Sequence, residues 1–315
     1  MSARILTAAT VAVAFSFTLP AKAADPQLVS LIMPDAKVVA GANVDQAKTS
    51  PFGQYVLMQI QASQSQELQN IINLTGFDPT RDVHELLVAS NGTPGDHSGL
   101  VAARGAFDPS RITAAATADG GTTESYKGLT IVEDPKKTHG VAFLSTSLVV
   151  AGDVPDVKAA IDRQTSPAPI PAALAVQINQ WSGSEDAWVI STVPPSSLHP
   201  PSTAPKVPGM NGQGAFQTVQ SASAGVKFGD IVVVTAQALA DNAQDAESMA
   251  NALKLLASLA QMQATKDPAA AELAQSLKVT TSGSTLNVSI SLPEDQLQQL
   301  MKPSVKVHRS ERAIQ

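Results

Sequence analysis

The chain has 315 residues, with 21 basic and 27 acidic side chains and a formal net charge of −6. Such a balance repels nucleic acid and anionic membrane on average, and neither is expected as a partner of the whole surface. There is no cysteine, which excludes thiol catalysis, thiolate metal sites, disulfides and lipid attachment at an N-terminal cysteine; aromatic residues make up only 4%, which disfavours a ring-stacking sugar cleft.

The first 23 residues read as a secretory signal peptide. Arg4 supplies the positive start, Ile5 to Leu19 is mostly apolar, and Pro20 breaks the run. Ala21-Lys22-Ala23 then gives the small-x-small pattern that signal peptidase requires, so cleavage is expected after Ala23. The apolar run is shorter than the roughly 20 residues that span a bilayer. No later segment is long enough either, so no integral membrane segment is expected in the mature chain.

Asp25-Pro26 predicts a helix, with Asp as cap and Pro at its first position, running to about Met33. A strand follows over Val38 to Val44. Ser50-Pro51 opens a helix to about Leu74 whose glutamines make an uncharged polar face. Strands are expected over Glu85 to Ser90 and Gly99 to Phe107, joined by the turn-rich residues Asn91 to Ser98. Asp108-Pro109 caps a helix to about Ala118. Thr122 to Glu133 holds strand material about a Lys127-Gly128 turn, Val141 to Leu144 and Leu148 to Ala151 form a hairpin, and Asp153 caps a helix to about Arg163.

Pro167, Pro169 and Pro171 punctuate the chain. A helix over Ala172 to Trp181 leads into a strand over Ala187 to Val193. Residues Pro194 to Gly214 carry too many prolines for a helix or strand interior and read as a long loop. Strands over Ala222 to Phe228 and Ile231 to Leu239 meet at Gly229-Asp230. Asp241 is expected to cap a helix whose buried face runs through Ala246, Met249, Ala250, Leu253, Leu256, Ala257 and Ala260. Asp267-Pro268 opens another helix, to about Leu277. Lys278 to Ser282 and Thr285 to Leu292 form a hairpin. In its second strand Leu286, Val288 and Ile290 alternate with Asn287 and Ser289, so one face is dry and one wet. Pro293-Glu294-Asp295 begins a last helix.

Each half closes with a hairpin followed by a helix that opens on an acid and a proline. The expected fold is therefore α+β: two related lobes, residues 24–166 and 167–302, each an antiparallel sheet with helices on one face, arising by internal duplication. A basic flexible tail, 303–315, completes the chain. Met33-Pro34-Asp35-Ala36, Gly76-Phe77-Asp78-Pro79 with Arg81-Asp82, Val149-Val150-Ala151-Gly152-Asp153 and Ser291-Leu292-Pro293-Glu294-Asp295 mark junctions between elements. In these the chain resembles uncharacterised exported bacterial proteins with a domain of unknown function. The resemblance implies export and transfers no catalytic residue.

No catalytic, cofactor or metal residue is assigned. His84, His97, His139, His199 and His308 lie at least thirteen residues apart, without the close pair of a helical or hairpin metal site. A three-dimensional cluster of His84, His97 and acids is the nearest approach to one. There is neither a G-x-S-x-G elbow nor an S-x-x-K pair. Ser182-Gly183-Ser184-Glu185-Asp186 reads as a turn into a strand. The acid pairs Glu133-Asp134, Glu185-Asp186 and Glu294-Asp295 sit at turns or helix starts, where acids cap N–H groups. Gly209 to Gly214 lacks the lysine and the setting of a phosphate loop. Lys302, Lys306, Arg309 and Arg312 make a local basic segment suited to weak peripheral contact with anionic envelope polymers or lipid.

The leading expectation is a non-enzymatic binding or scaffold protein of the cell envelope, with an envelope protein or polymer as partner. The alternatives are a carrier of a lipid or other apolar ligand, in which helices 50–74 and 243–262 leave a cavity over a sheet, and a hydrolase whose site is assembled in three dimensions.

Overall fold

A computed structural model describes residues 23–62, 72–93, 99–194, 218–262 and 268–301. Most of the expected signal peptide, the middle of the long helix expected from Ser50, nearly all of the Pro-rich loop and the tail with Lys302, Lys306, Arg309 and Arg312 lie outside the described residues.

The first half contains α1 (Pro26–Ser30), β1 (Val38–Asn43), α2 (Val44–Thr49), α3 (Pro51–Ala62), α4 (Pro79–Asp82), β2 (Val83–Ser90), β3 (Leu100–Gly105), α5 (Pro109–Ala118), β4 (Thr122–Tyr126), β5 (Leu129–Glu133), β6 (His139–Ser145), β7 (Leu148–Asp153) and α6 (Val154–Thr165). The second contains α7 (Ala172–Ser184), β8 (Ala187–Ser191), β9 (Val219–Lys227), β10 (Ile231–Ala240), α8 (Ala243–Met262), α9 (Pro268–Ser276), β11 (Lys278–Ser282), β12 (Thr285–Pro293) and α10 (Glu294–Met301).

Local chemistry explains many of these boundaries. The Asp25 carboxylate accepts the Gln27 N–H at 2.7 Å and Pro26 takes the first helical position. Asp108 does the same for α5 through the Arg111 N–H at 3.0 Å. The β4–β5 hairpin turns through Lys127 and Gly128, with φ of 49° and 83°, the pair of positive values a two-residue turn needs. Three expectations are corrected. The first helix stops at Ser30, because Leu31, Ile32 and Met33 turn down into the core. The strand expected to run to Val44 ends at Asn43, which caps the unanticipated α2 by accepting the Gln46 N–H at 2.9 Å. Asn242 rather than Asp241 caps α8, accepting the Asp245 N–H at 3.0 Å.

The strands form one antiparallel sheet of twelve, in the order β11-β12-β10-β9-β8-β1-β2-β3-β7-β6-β5-β4. This overturns the two lobes with separate sheets. The ladder does not break between the halves: β8 pairs with β1 from Val38 opposite Ser191 to Ala42 opposite Ala187, and with β9 along its other edge. Nor does the sheet support an internal duplication, since seven strands lie on the β1 side of this junction and five on the β8 side. The edges are β11 and β4.

Residues directly opposite each other in a ladder point to the same face, so the register tells which helices cover which side. Trp188, Gly41, Leu87, Ala102, Val150, Ala142 and Ile131 stand opposite one another in succession. On this first face they meet Leu28 of α1 and Leu31 and Ile32 just after it, Val157 and Ile161 of α6, and Leu174, Ile178 and Trp181 of α7, forming the main core. Carried into the second half, the same face becomes Gly225, Thr235 and Ser289. There the dry side is the opposite one: Ala222, Ala238, Leu286 and Val288 pack beneath Ala246, Met249, Ala250 and Leu253 of α8. The alternation read from β12 thus holds, and the buried side changes across the sheet.

Two features lock the junction. Arg163, buried in α6, donates from Nε and Nη2 to the Leu31 carbonyl at 3.0 and 2.7 Å, so the N-terminal segment is tied to the core. Trp188 lies flat on Gly41, where an added Cβ would come within 2.5 Å of the indole. Gly41→Ala is expected to destabilise the protein by about 1–3 kcal/mol through overpacking, measured by urea denaturation.

Candidate functional site

The histidines are dispersed. His84 Nδ1 is 2.9 Å from Asp45 in an exposed ion pair, and His139 stands 3.4 Å from Asp153, also at the surface. His97, His199 and His308 are outside the described residues. Among the described residues no group of three or more acids and histidines could hold a metal ion. The acid pairs separate into structural roles. Asp134 closes a turn by accepting the Thr138 and His139 N–H groups at 2.6 and 2.9 Å, and these bonds hold its carboxyl below the usual range. Glu294 accepts the Phe52 N–H at 3.2 Å, joining α10 to α3.

The segment 182–186 departs most from its sequence reading. Ser182 to Ser184 form the last turn of α7, and Ser182 and Asp186 are buried. Asp186 accepts from Lys227 Nζ at 2.8 Å and from the Phe228 N–H at 2.7 Å. Burial pushes the Glu185 carboxyl above its ordinary value. These side chains line a cavity of about 10 Å³, too small for a substrate. The Ser182 hydroxyl has no hydrogen-bond partner among the described residues, and the arrangement is not that of a nucleophile bonded to its base.

The larger chemical opportunity is the second face of the sheet. One row of residues crosses eleven strands in register: Val279, Val288, Ala236, Ala224, Val189, Ala40, Val88, Val101, Ala151, Val141 and Val132. Every member is valine or alanine. No donor, acceptor or charge interrupts it. α8 covers the β10–β12–β11 end. At the other end Phe77, Phe107 and Phe143 pack with Val83, Ala103 and Val149 on the same face. Between them the row is only half-buried, and Val189 at its centre is 39% exposed. From β9 to β3 this open floor spans four strand spacings, about 19 Å.

Two further features border it. α8 carries a second apolar stripe, Leu255, Leu259 and Met262, on the side away from the sheet, with exposures of 62%, 45% and 81%. Beyond the phenylalanine cluster a cleft of about 570 Å³ opens, lined by Phe77, Phe107 and Ile112 together with Arg81, Asp82, Asp108 and Arg111. Arg81 is held by Asp82 at 2.6 Å. The apolar row was legible only strand by strand in the sequence; the register that joins eleven strands carries no local mark.

Comparison with solved structures finds the fold elsewhere. Crystal form III of TP0453 superposes with a TM-score of 0.52 at 9% identity, covering 86% of this chain and 95% of that one. Crystal form IV gives 0.51 at 9% identity, covering 89% and 97%. At that identity the likeness is one of fold. No protein-family model and no curated protein matches the sequence. Among the described residues no helix is long and apolar enough to cross a membrane.

The face assignment is tested on adjacent residues of β8. Val189→Lys on the open face is expected to change stability by no more than about 1 kcal/mol. Ile190→Lys, on the covered face, is expected to cost more than about 4 kcal/mol by burying an unpaired charge. Urea denaturation of both variants makes the comparison.

Proposed function

We propose that this protein carries an apolar, lipid-like ligand against the second face of its sheet. Of the readings open to the sequence, the geometry favours the carrier over the binding or scaffold module. The observation that supports it is the eleven-strand row of valine and alanine whose central members are left half-buried. A continuous apolar surface is costly to expose to water, and on soluble proteins it marks a place where something binds. The row offers area and shape but no hydrogen bond, so it selects by hydrophobic contact, as suits an acyl chain or another elongated apolar body. Small side chains keep the floor flat across its width.

The neighbouring cleft refines the reading. Its two arginines are matched by Asp82 and Asp108, which gives no net preference for an anionic or a cationic head group. Selection rests on the apolar body of the ligand. α8 has apolar residues on both sides, and its outer stripe gives the ligand site a second wall in any arrangement that brings this helix over the floor.

Native protein purified from envelope extracts is expected to yield a stoichiometric apolar compound by mass spectrometry of its organic extract. Val189→Lys and Ala224→Glu should each lower that yield by about tenfold, equivalent to about 1.4 kcal/mol of binding, while far-UV circular dichroism stays unchanged. An empty native protein, or full loading of both variants, would overturn the assignment.

A further inference from the structure

The small cavity at the junction holds an unfinished electrostatic arrangement. It is lined by Ala24, Asn43, Glu85, Ser182, Glu185 and Asp186 beside Gly41, Ala42 and Trp188. Ser182 is 5% exposed and its hydroxyl, with one oxygen of Glu185, is buried without a hydrogen-bond partner among the described residues. Thr235 of β10 serves the Glu185 carboxyl, and Lys227 of β9 serves Asp186. Asp25 is engaged by Arg104 of β3 at 2.6 Å, and its N–H donates to Glu85 Oε1 at 2.8 Å. Lys227 is thus held by Asp186 and Arg104 by Asp25, while a buried Glu185 oxygen and the Ser182 hydroxyl, both of lining residues, keep no partner among the described residues.

The chain itself can supply what is absent. Ala24 is buried, at 8% exposure, whereas Ala23 is exposed. The change from exposed to buried falls at the bond where the signal peptide is expected to end. We propose that the α-ammonium group formed by cleavage after Ala23 is the partner of this pocket, held among Glu85, Glu185, Asp186 and the Ser182 hydroxyl, so that export processing completes the fold. Hydrolysis of the Ala23–Ala24 peptide bond consumes one water. The water oxygen becomes part of the Ala23 carboxylate, and both hydrogens finish on the Ala24 nitrogen, which then carries three donors and a positive charge.

In the uncleaved chain that nitrogen is a neutral amide with one N–H, and one buried Glu185 oxygen has no hydrogen-bond partner among the described residues. After cleavage a full charge sits in a water-poor site beside acids, where its interaction is strongest. The amine pKa is expected to rise above its ordinary value of about 8. A group whose folded pKa is raised stabilises the fold below its unfolded pKa and ceases to do so as pH climbs through the folded one. The contribution is therefore greatest near neutrality and is lost in alkaline solution.

The test uses the full precursor, exported and processed, beside a precursor with Gly-Ser inserted between Ala23 and Ala24. The insertion displaces the new ammonium by about 7 Å. The native mature chain is expected to begin at Ala24 by intact mass. Its α-amine should be acylated at pH 7 about tenfold more slowly than that of the insertion protein, the equivalent of a pKa raised by about one unit. The insertion should lower Tm at pH 7 by about 3 °C or more, and in a Glu185→Gln background by less than half as much. A different N-terminus, equal amine reactivity in the two proteins, or the same Tm loss in both backgrounds would overturn the proposal. If the insertion protein does not fold, acylation of the native chain against a peptide beginning Ala24-Asp25-Pro26 decides it: equal rates refute the buried ammonium.

Discussion

The ladder between β1 and β8 carries the two halves of this protein. Five residue pairs, from Val38–Ser191 to Ala42–Ala187, turn what would be two short sheets into one of twelve strands. The pairing requires close approach on the covered face. Gly41 gives Trp188 room to lie flat, and Gly225, opposite Trp188 on the next strand, leaves space for Glu185 and Trp181. A side chain at Gly41 would collide with the Trp188 indole, and one at Gly225 with Glu185 and Trp181. Because β1 is reached by the segment from Ala24 to Lys37, the junction also depends on that segment being seated, with Arg163 clasping the Leu31 carbonyl.

A single sheet whose dry side changes between halves leaves a zone in the middle that neither set of helices fully covers. On the first face α7 spans the junction. On the second, α8 ends one cover and the phenylalanine cluster begins another. The half-buried valines and alanines between them follow from this arrangement, and they are the feature on which the carrier reading stands. Separate sheets, each with its own helical layer, would not create such a floor.

Much of the local structure was legible. Asp25-Pro26 and Asp108-Pro109 marked helix starts through capping chemistry, and Lys127-Gly128 marked a turn through its backbone requirement. The alternation in β12 named the face that α8 covers. What could not be read was long-range. α2 follows β1 with no break in the sequence, because Asn43 both ends the strand and caps the helix. The junction ladder joins residues about 150 apart, and alternation says nothing of which strand lies beside which. The acids of 182–186 looked like a solvated turn, since nothing local shows that Trp181 and Gly225 draw them inward. For the same reason the pocket at Ala24 was invisible, although the export signal expected just before it was the clearest motif in the chain.

Among the described residues the twelve-stranded sheet has two borders, β11 and β4, and both are rich in residues that welcome water. Lys278, Thr280, Thr281 and Ser282 form one; Thr122, Thr123, Glu124 and Ser125 form the other. Unpaired backbone groups along such borders can template the addition of another chain. Short strands with hydroxyl and charged side chains make that addition unprofitable in hydrophobic contact. A protein that leaves an apolar floor open at its centre thus keeps its margins poor seeds for fibrous growth.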